Sequence, residues 1–233
     1  SAPTPALGLI TTVVQEKQAP LNQVGFVNVG QKGLAGLGEK SRIYVRQESV
    51  DLWNNIEGSV GEKKNLRITG PPGTGKSTEA WAWAQWKAFK DNKRITWFHL
   101  SKMGDLIKVV LENQTIFTGY PPCPLARIWD EIIACDGDYL IVDGVTATVS
   151  LTVGGACVNW RGKCTGRVFI MVTSVSLAIP LQDEMRASLS TLYVPSWSFE
   201  QYVSACKDPQ LFASVHSNLQ CEEKEKEKEK EKE

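Results

Sequence analysis

Eight consecutive residues, Gly70-Pro71-Pro72-Gly73-Thr74-Gly75-Lys76-Ser77, have types and spacing that suit chemistry on a phosphate chain. They fit G-x-x-x-x-G-K-[ST], a loop whose backbone amides cradle phosphate oxygens. Glycines let the chain turn tightly, so successive N–H groups point inward as a nest. A helix starting near Gly75 adds free N–H groups and the positive end of its dipole. Lys76 is the point charge for the outer phosphates. The Ser77 hydroxyl is a hard oxygen donor suited to Mg²⁺. Pro71 and Pro72 stiffen the loop, and Thr78 completes the candidate binding set by supporting the helix start.

A second stretch answers the first. Asp138-Tyr139-Leu140-Ile141-Val142-Asp143 reads as an apolar strand ending in a carboxylate. At the carboxyl edge of an open α/β sheet, Asp143 can hold a Mg²⁺ water opposite Ser77. A third stretch, Arg167 to Val172, is another apolar strand, and it ends in Thr173-Ser174. The strand-end hydroxyls of Thr173 and Ser174 are further candidates. The candidate catalytic set is therefore Lys76, Asp143, Thr173 and Ser174, with Ser77 and Asp143 as metal ligands.

The elements that must position these groups can be placed by pattern. Leu66 to Thr69 reads as the strand before the loop, and Ser77 to Lys90 as the helix after it. Trp81, Trp83, Trp86 and Phe89 cover more than one face of that helix, as expected of a crossover helix packed into a core. Arg94 to Leu100 is the second core strand, and its apolar run suits a buried parallel position. His99 near its end reads as a packed or capped histidine. Leu106–Leu111 and Thr115–Phe117 flank Asn113-Gln114 and predict a β-hairpin inserted after the second strand, with a helix as the alternative. Leu125 to Ala134 is helical by period, and Thr146 to Trp160 gives a further helix or loop. Thr191 to Val194 is a short fifth strand, followed by a helix capped by Ser196 or Ser198. Ahead of the loop, Arg42 to Arg46 is extended and Ser49 to Ile56 helical.

The sequence divides into an irregular leader over 1–40, rich in Gly, Pro, Ala and Gln, a domain over 41–210, and a low-complexity tail over 211–233. The 233 residues are 42% hydrophobic and 22% charged, enough for one sizeable core. Lysines and arginines balance aspartates and glutamates at 26 each. The last twelve residues hold seven Glu and five Lys, so the rest of the chain carries 21 basic and 19 acidic residues, a net +2. That balance gives no electrostatic footprint for nucleic acid or membrane. The six cysteines form no C-x-x-C pair, and there are only two histidines, which argues against a zinc site. They read as reduced intracellular thiols. No stretch approaches the roughly 20 apolar residues of a transmembrane helix, and no signal peptide opens the chain. The chain starts with Ser rather than Met, which suggests a fragment or a processed form.

The loop, the strand ending in Asp143 and the intervening strand together resemble a P-loop NTPase of the additional-strand (ASCE/AAA-like) type. The resemblance implies an α/β fold with helices flanking a parallel sheet of order 5-1-4-3-2. It also implies Walker A and Walker B roles for Gly70–Ser77 and Asp143, and a γ-phosphate sensor at Thr173 or Ser174. No N-K-x-D guanine motif occurs, which favours ATP over GTP. Five segments are similar to one family in particular: G-P-P-G-T-G-K-S-T-E-A-W-A-W-A from 70, T-W-F-H at 96–99, L-I-V-D-G-V at 140–145, V-T-S-V-S at 172–176 and S-W-S-F-E-Q-Y at 196–202. Y-V-R-Q-E-S at 44–49 is similar to what precedes the loop there. The family is the P-loop ATPase module shared by Crinkler proteins and retrotransposon hot spot proteins. It implies coupling to an effector domain, often nuclease- or kinase-like, that this chain lacks, and at family level a nuclear location, nucleic-acid contact or oligomer. The Crinkler L-x-L-F-L-A-K header is absent.

One departure bears on catalysis. Many ATPases carry a Glu after the Walker B Asp to orient the attacking water, and here Gly144 follows Asp143. Asp138, Asp183 and Glu184 are the carboxylates that could take its place, and Arg186 is the candidate arginine finger. Three readings stand: a Mg²⁺-dependent ATPase that drives a conformational change, a nucleotide-binding switch or scaffold with little turnover, and a small-molecule P-loop kinase. The third lacks an arginine-rich lid, since 145–190 holds only Arg161, Arg167 and Arg186.

Overall fold

The computed structural model describes residues 8–13, 25–28, 42–101, 104–112, 115–120, 123–173 and 189–209. The chain divides into two compact units, Ser1–Ser196 and Trp197–Glu233.

The first unit is built on a sheet whose central strands are apolar on both faces. In chain order its elements are β1 (Gly8–Val13), β2 (Gly25–Asn28), β3 (Arg42–Val45), α1 (Gln47–Gly61), β4 (Asn65–Thr69) and α2 (Lys76–Lys90). There follow β5 (Ile95–Leu100), β6 (Asp105–Glu112), β7 (Thr115–Tyr120), β8 (Cys123–Pro124), a 3₁₀ turn over Leu125–Arg127 and α3 (Ile128–Ala134). The unit closes with β9 (Tyr139–Val145), α4 (Ser150–Gly162), β10 (Val168–Thr173) and β11 (Leu189–Tyr193).

The parallel strands lie in the order β11-β4-β10-β9-β5. The sheet as a whole differs from the expected five strands. Beyond β5 it continues through antiparallel β6, β7 and β1, and β8 pairs with β6. β6 pairs with β5 as well as β7, with Trp97 opposite Val109 and Leu111 opposite Ile116. β1 and β2 both fall within residues 1–40, where no element was expected. β1 pairs with β7, and β2 forms a separate two-stranded sheet with β3. Their short runs carry too little periodicity to be seen without a partner strand.

Alternate residues of each central strand feed two cores, as a period of two requires. Leu66, Ile68, Trp97, Ile141 and Ile170 face α1 and α2. Phe98, Leu140, Val142, Phe169 and Met171 join Ile128, Ile132, Val153 and Trp160 from α3 and α4. A sheet covered on both faces explains the near-continuous apolar strands.

The tryptophans of α2 are core. Trp81 and Trp83 are fully buried, and their rings meet Trp97 and Tyr139 edge to face at 5.1 Å and 5.7 Å. Trp53 Nε1 donates to the Glu79 carbonyl at 2.9 Å, and Trp83 Nε1 to Glu57 at 2.8 Å, so α1 and α2 are tied by indole hydrogen bonds. Asn65, fully buried, accepts from the Phe169 backbone N–H at 3.2 Å and joins β4 to β10. Cys157 is buried and Cys164 exposed, and both are free thiols.

In the second unit, α5 (Phe199–Ala205) begins with a capping box: Ser198 Oγ accepts from the Gln201 N–H and Gln201 Oε1 from the Ser198 N–H. Phe199, Tyr202 and Val203 are exposed. The expected tail over 211–233 lies outside the described residues, as does most of the leader.

Candidate functional site

β4 delivers the glycine-rich loop and α2 leaves it. Gly73 and Gly75 sit at φ +75° and +91°, in the left-handed region that favours glycine. Gly70, at φ +154°, answers a close approach: a Cβ there would lie 2.2 Å from the Val194 carbonyl oxygen. Val194, just past β11, donates its N–H to Thr69 O at 2.8 Å, so that segment packs directly on the loop's entry. Thr74 Oγ1 donates to Pro71 O at 3.0 Å and closes the turn. Lys76 is 9% exposed, and its ammonium donates to Gly70 O at 2.8 Å and Pro71 O at 2.6 Å. Burial pulls its pKa below that of an ordinary lysine, against the nearby charges of Asp143 and Glu79. An ammonium held by loop carbonyls in a partly dehydrated pocket is poised for an anion.

Ser77 and Asp143 come together. The Ser77 hydroxyl donates to Asp143 Oδ1 at 2.6 Å, and the carboxylate is 1% exposed. These hard oxygens fit Mg²⁺. No group of three or more His, Cys, Asp or Glu side chains that could hold a metal stands among the described residues. A divalent ion would therefore complete its shell from phosphate and water, which is how Mg²⁺ is commonly held. Thr173 ends β10, the strand between β4 and β9, and is 2% exposed. Its Oγ1 is buried and has no hydrogen-bond partner among the described residues. An orphaned hydroxyl at a strand end costs free energy unless a ligand meets it. Thr78 is half-buried in the first turn of α2. Ser174, Asp183, Glu184 and Arg186 lie outside the described residues.

Gly144 has a structural reason. Val172 pairs with Asp143 but Thr173 pairs with Val145, so Gly144 is an extra residue bulged from β9. Its φ is +80°, and a Cβ would lie 2.6 Å from the Leu100 carbonyl oxygen. A glutamate cannot stand there without displacing β5. Asp138 is not a substitute. It precedes β9, about 16 Å along the strand from Asp143, and holds Lys93 and the Arg94 N–H, both at 3.0 Å.

Two features escape the motifs. His99, opposite Asp143 in the β5–β9 register, places Nδ1 2.7 Å from Asp143 Oδ2. His99 is thus capped by Asp143, and the ring stands beside Ser77's partner because the strand pairing puts it there. The T-W-F-H segment showed the residue but not its neighbour. The second is a buried ion pair behind the loop. Arg46, 1% exposed, donates to Pro195 O at 3.2 Å, Thr74 O at 3.4 Å and Glu79 Oε1 at 3.4 Å. Ser49 Oγ donates to the same Glu79 oxygen at 2.7 Å. Burial pushes the Glu79 carboxyl up, and Ser49 and Arg46 hold it back.

No family model matches the chain, and no curated protein sequence does. Among solved structures, the chain is similar to AMPPCP-bound DnaA from Aquifex aeolicus at 11% identity and a TM-score of 0.41, over 65% of this chain and 48% of that one. It is also similar to PCH-2 of C. elegans at 15% identity and a TM-score of 0.43, over 74% and 49%. A chain of the Drosophila ORC bound to DNA aligns at 6% identity and a TM-score of 0.38, over 66% and 95%. The chain spans about half the length of the first two. Similarity this low does not assign the chain to a family.

Proposed function

We propose that the chain binds MgATP through Gly70–Thr78 and hydrolyses it. The observation that carries the reading is the 2.6 Å hydrogen bond between Ser77 and Asp143, which joins two motifs 66 residues apart. In this reading the loop amides and the α2 N-terminus bind the phosphates, and Lys76 exchanges its carbonyl partners for phosphate oxygens. Ser77 and Asp143 hold Mg²⁺, which when bound supplies charge neutralisation on the phosphate oxygens. The Thr173 hydroxyl gains its missing partner on the γ-phosphate, and Ser174 is the alternative donor. Phosphate release by wild type and Lys76→Ala tests the reading. The expected result is release from wild type only, and equal rates would remove the assignment.

The resemblance to Crinkler and retrotransposon hot spot modules supports a wider role. Nucleotide state would drive or gate an effector domain or protein partner, with nucleic-acid contact, oligomer formation and a nuclear location as family-level extensions. No helix among the described residues is long and apolar enough to cross a membrane.

A second reading, a nucleotide-binding switch with little turnover, is favoured by Gly144, whose bulge leaves no room for the usual glutamate. It expects MgATP binding with only trace hydrolysis. A turnover on the order of one per second, abolished by Asp143→Ala, would argue against it.

A further inference from the structure

We infer that His99 supplies the water-orienting contact that the bulge at Gly144 removes; the inference rests on the hydrolytic reading above. Water attack on a phosphoryl group needs an acceptor that fixes the water in line. The residue after Asp143 cannot provide it, since a Cβ at Gly144 would meet Leu100 O at 2.6 Å. The neighbouring strand end offers a replacement. His99 lies opposite Asp143 in the register, on the far side of β9 from Thr173. Its Nδ1 is 2.7 Å from Asp143 Oδ2. In the tautomer whose Nδ1–H donates to Asp143, Nε2 is the acceptor that a water could meet. The contact with Asp143 is the ring's one hydrogen bond among the described residues, and the side chain is 26% exposed. Asp143 thus meets His99 through one carboxylate oxygen while the other takes the Ser77 hydroxyl. One carboxylate ties His99 to Ser77, the proposed Mg²⁺ ligand.

In the hydrolytic step, the water oxygen forms a bond to the γ-phosphorus as the bond to the bridging oxygen breaks. That electron pair leaves with ADP, and the water's proton goes to the phosphate product. His99 accepts a hydrogen bond from the water and needs no net change of proton count.

The test compares the wild-type chain with His99→Gln, His99→Phe and His99→Ala. Single-turnover ATP hydrolysis is measured beside MgADP affinity by calorimetry, and circular dichroism checks folding. Gln keeps an acceptor, and Phe keeps ring size without one. His99→Phe and His99→Ala should slow hydrolysis about a hundredfold, His99→Gln by no more than about tenfold, and MgADP affinity should stay within about threefold. If His99→Ala fails to fold, the Gln/Phe contrast decides. Equal rates for Gln and Phe would overturn the inference, as would affinity losses matching the rate losses, because His99 would then act only by supporting Asp143 in binding. Wild type that binds MgADP but does not hydrolyse ATP would also overturn it. Wild type that does not bind MgADP at all would remove the reading beneath it.

Discussion

At the scale of single residues, the site is a set of polar groups held where water is largely excluded. Lys76 shows the consequence. Its folded pKa lies below the ordinary lysine value because burial disfavours the charge. A base shifted in that direction lowers fold stability in full below its folded pKa, and the penalty fades as pH rises to the unfolded value. At neutral pH, Lys76→Met should leave the thermal midpoint of the nucleotide-free protein unchanged or raised. The same change should weaken MgATP binding by about tenfold to a hundredfold, the worth of a charged hydrogen bond. A lowered midpoint by scanning calorimetry would mean that the loop carbonyls stabilise the ammonium more than burial disfavours it. Gly144 gives the converse case. Gly144→Glu should destabilise by about 1–3 kcal/mol in urea unfolding and should not speed hydrolysis, because the new Cβ meets Leu100 O. A faster variant would show that the bulge can accept a side chain. Lys76, Ser77 and Asp143 were legible because their motifs have fixed spacing. His99 was not, because its role comes from a strand pairing 44 residues away.

At the scale of elements, the loop is fixed from behind by Arg46. One guanidinium spans the end of β3, the Thr74 carbonyl within the loop, Glu79 on α2 and the Pro195 carbonyl after β11. Four parts of the fold that surround the phosphate cradle thus share one charge. Arg46→Met leaves Glu79 buried against Ser49 alone and should cost about 3–5 kcal/mol, read by urea unfolding, together with weaker MgATP binding. The double change Arg46→Met, Glu79→Met should recover most of the stability, since the uncompensated carboxylate is gone. A double variant as unstable as the single one would mean that packing, rather than charge, sets the cost. Nothing in the sequence flags this pair. An arginine and a glutamate 33 residues apart look like surface charges until β3 and α2 are brought together. The helices α1 and α2 and the five parallel strands were legible because buried strands and amphipathic helices have distinct periods.

For the whole first unit, the parallel strands carry the proposed nucleotide site and the antiparallel strands β6, β7 and β1 extend the opposite side of the sheet. The two functions should separate. Ile116 of β7 is fully buried against the core, and β7 lies five strand spacings from β4, about 24 Å. Ile116→Ala should cost about 2–5 kcal/mol in denaturant unfolding and leave MgATP affinity within about twofold. A large affinity change would mean that the extension is coupled to the loop. That β1 joins this edge was not readable, because Gly8–Val13 is too short to declare itself without β7 beside it. The central claim concerns the other edge, where Ser77 and Asp143 meet over a loop built for phosphate. Its most direct test is an equilibrium titration of MgATP into wild type and Lys76→Ala. Saturable binding by wild type, lost or weakened at least tenfold in the variant, is the predicted result. Equal binding by the two proteins, or none by wild type, would contradict the account.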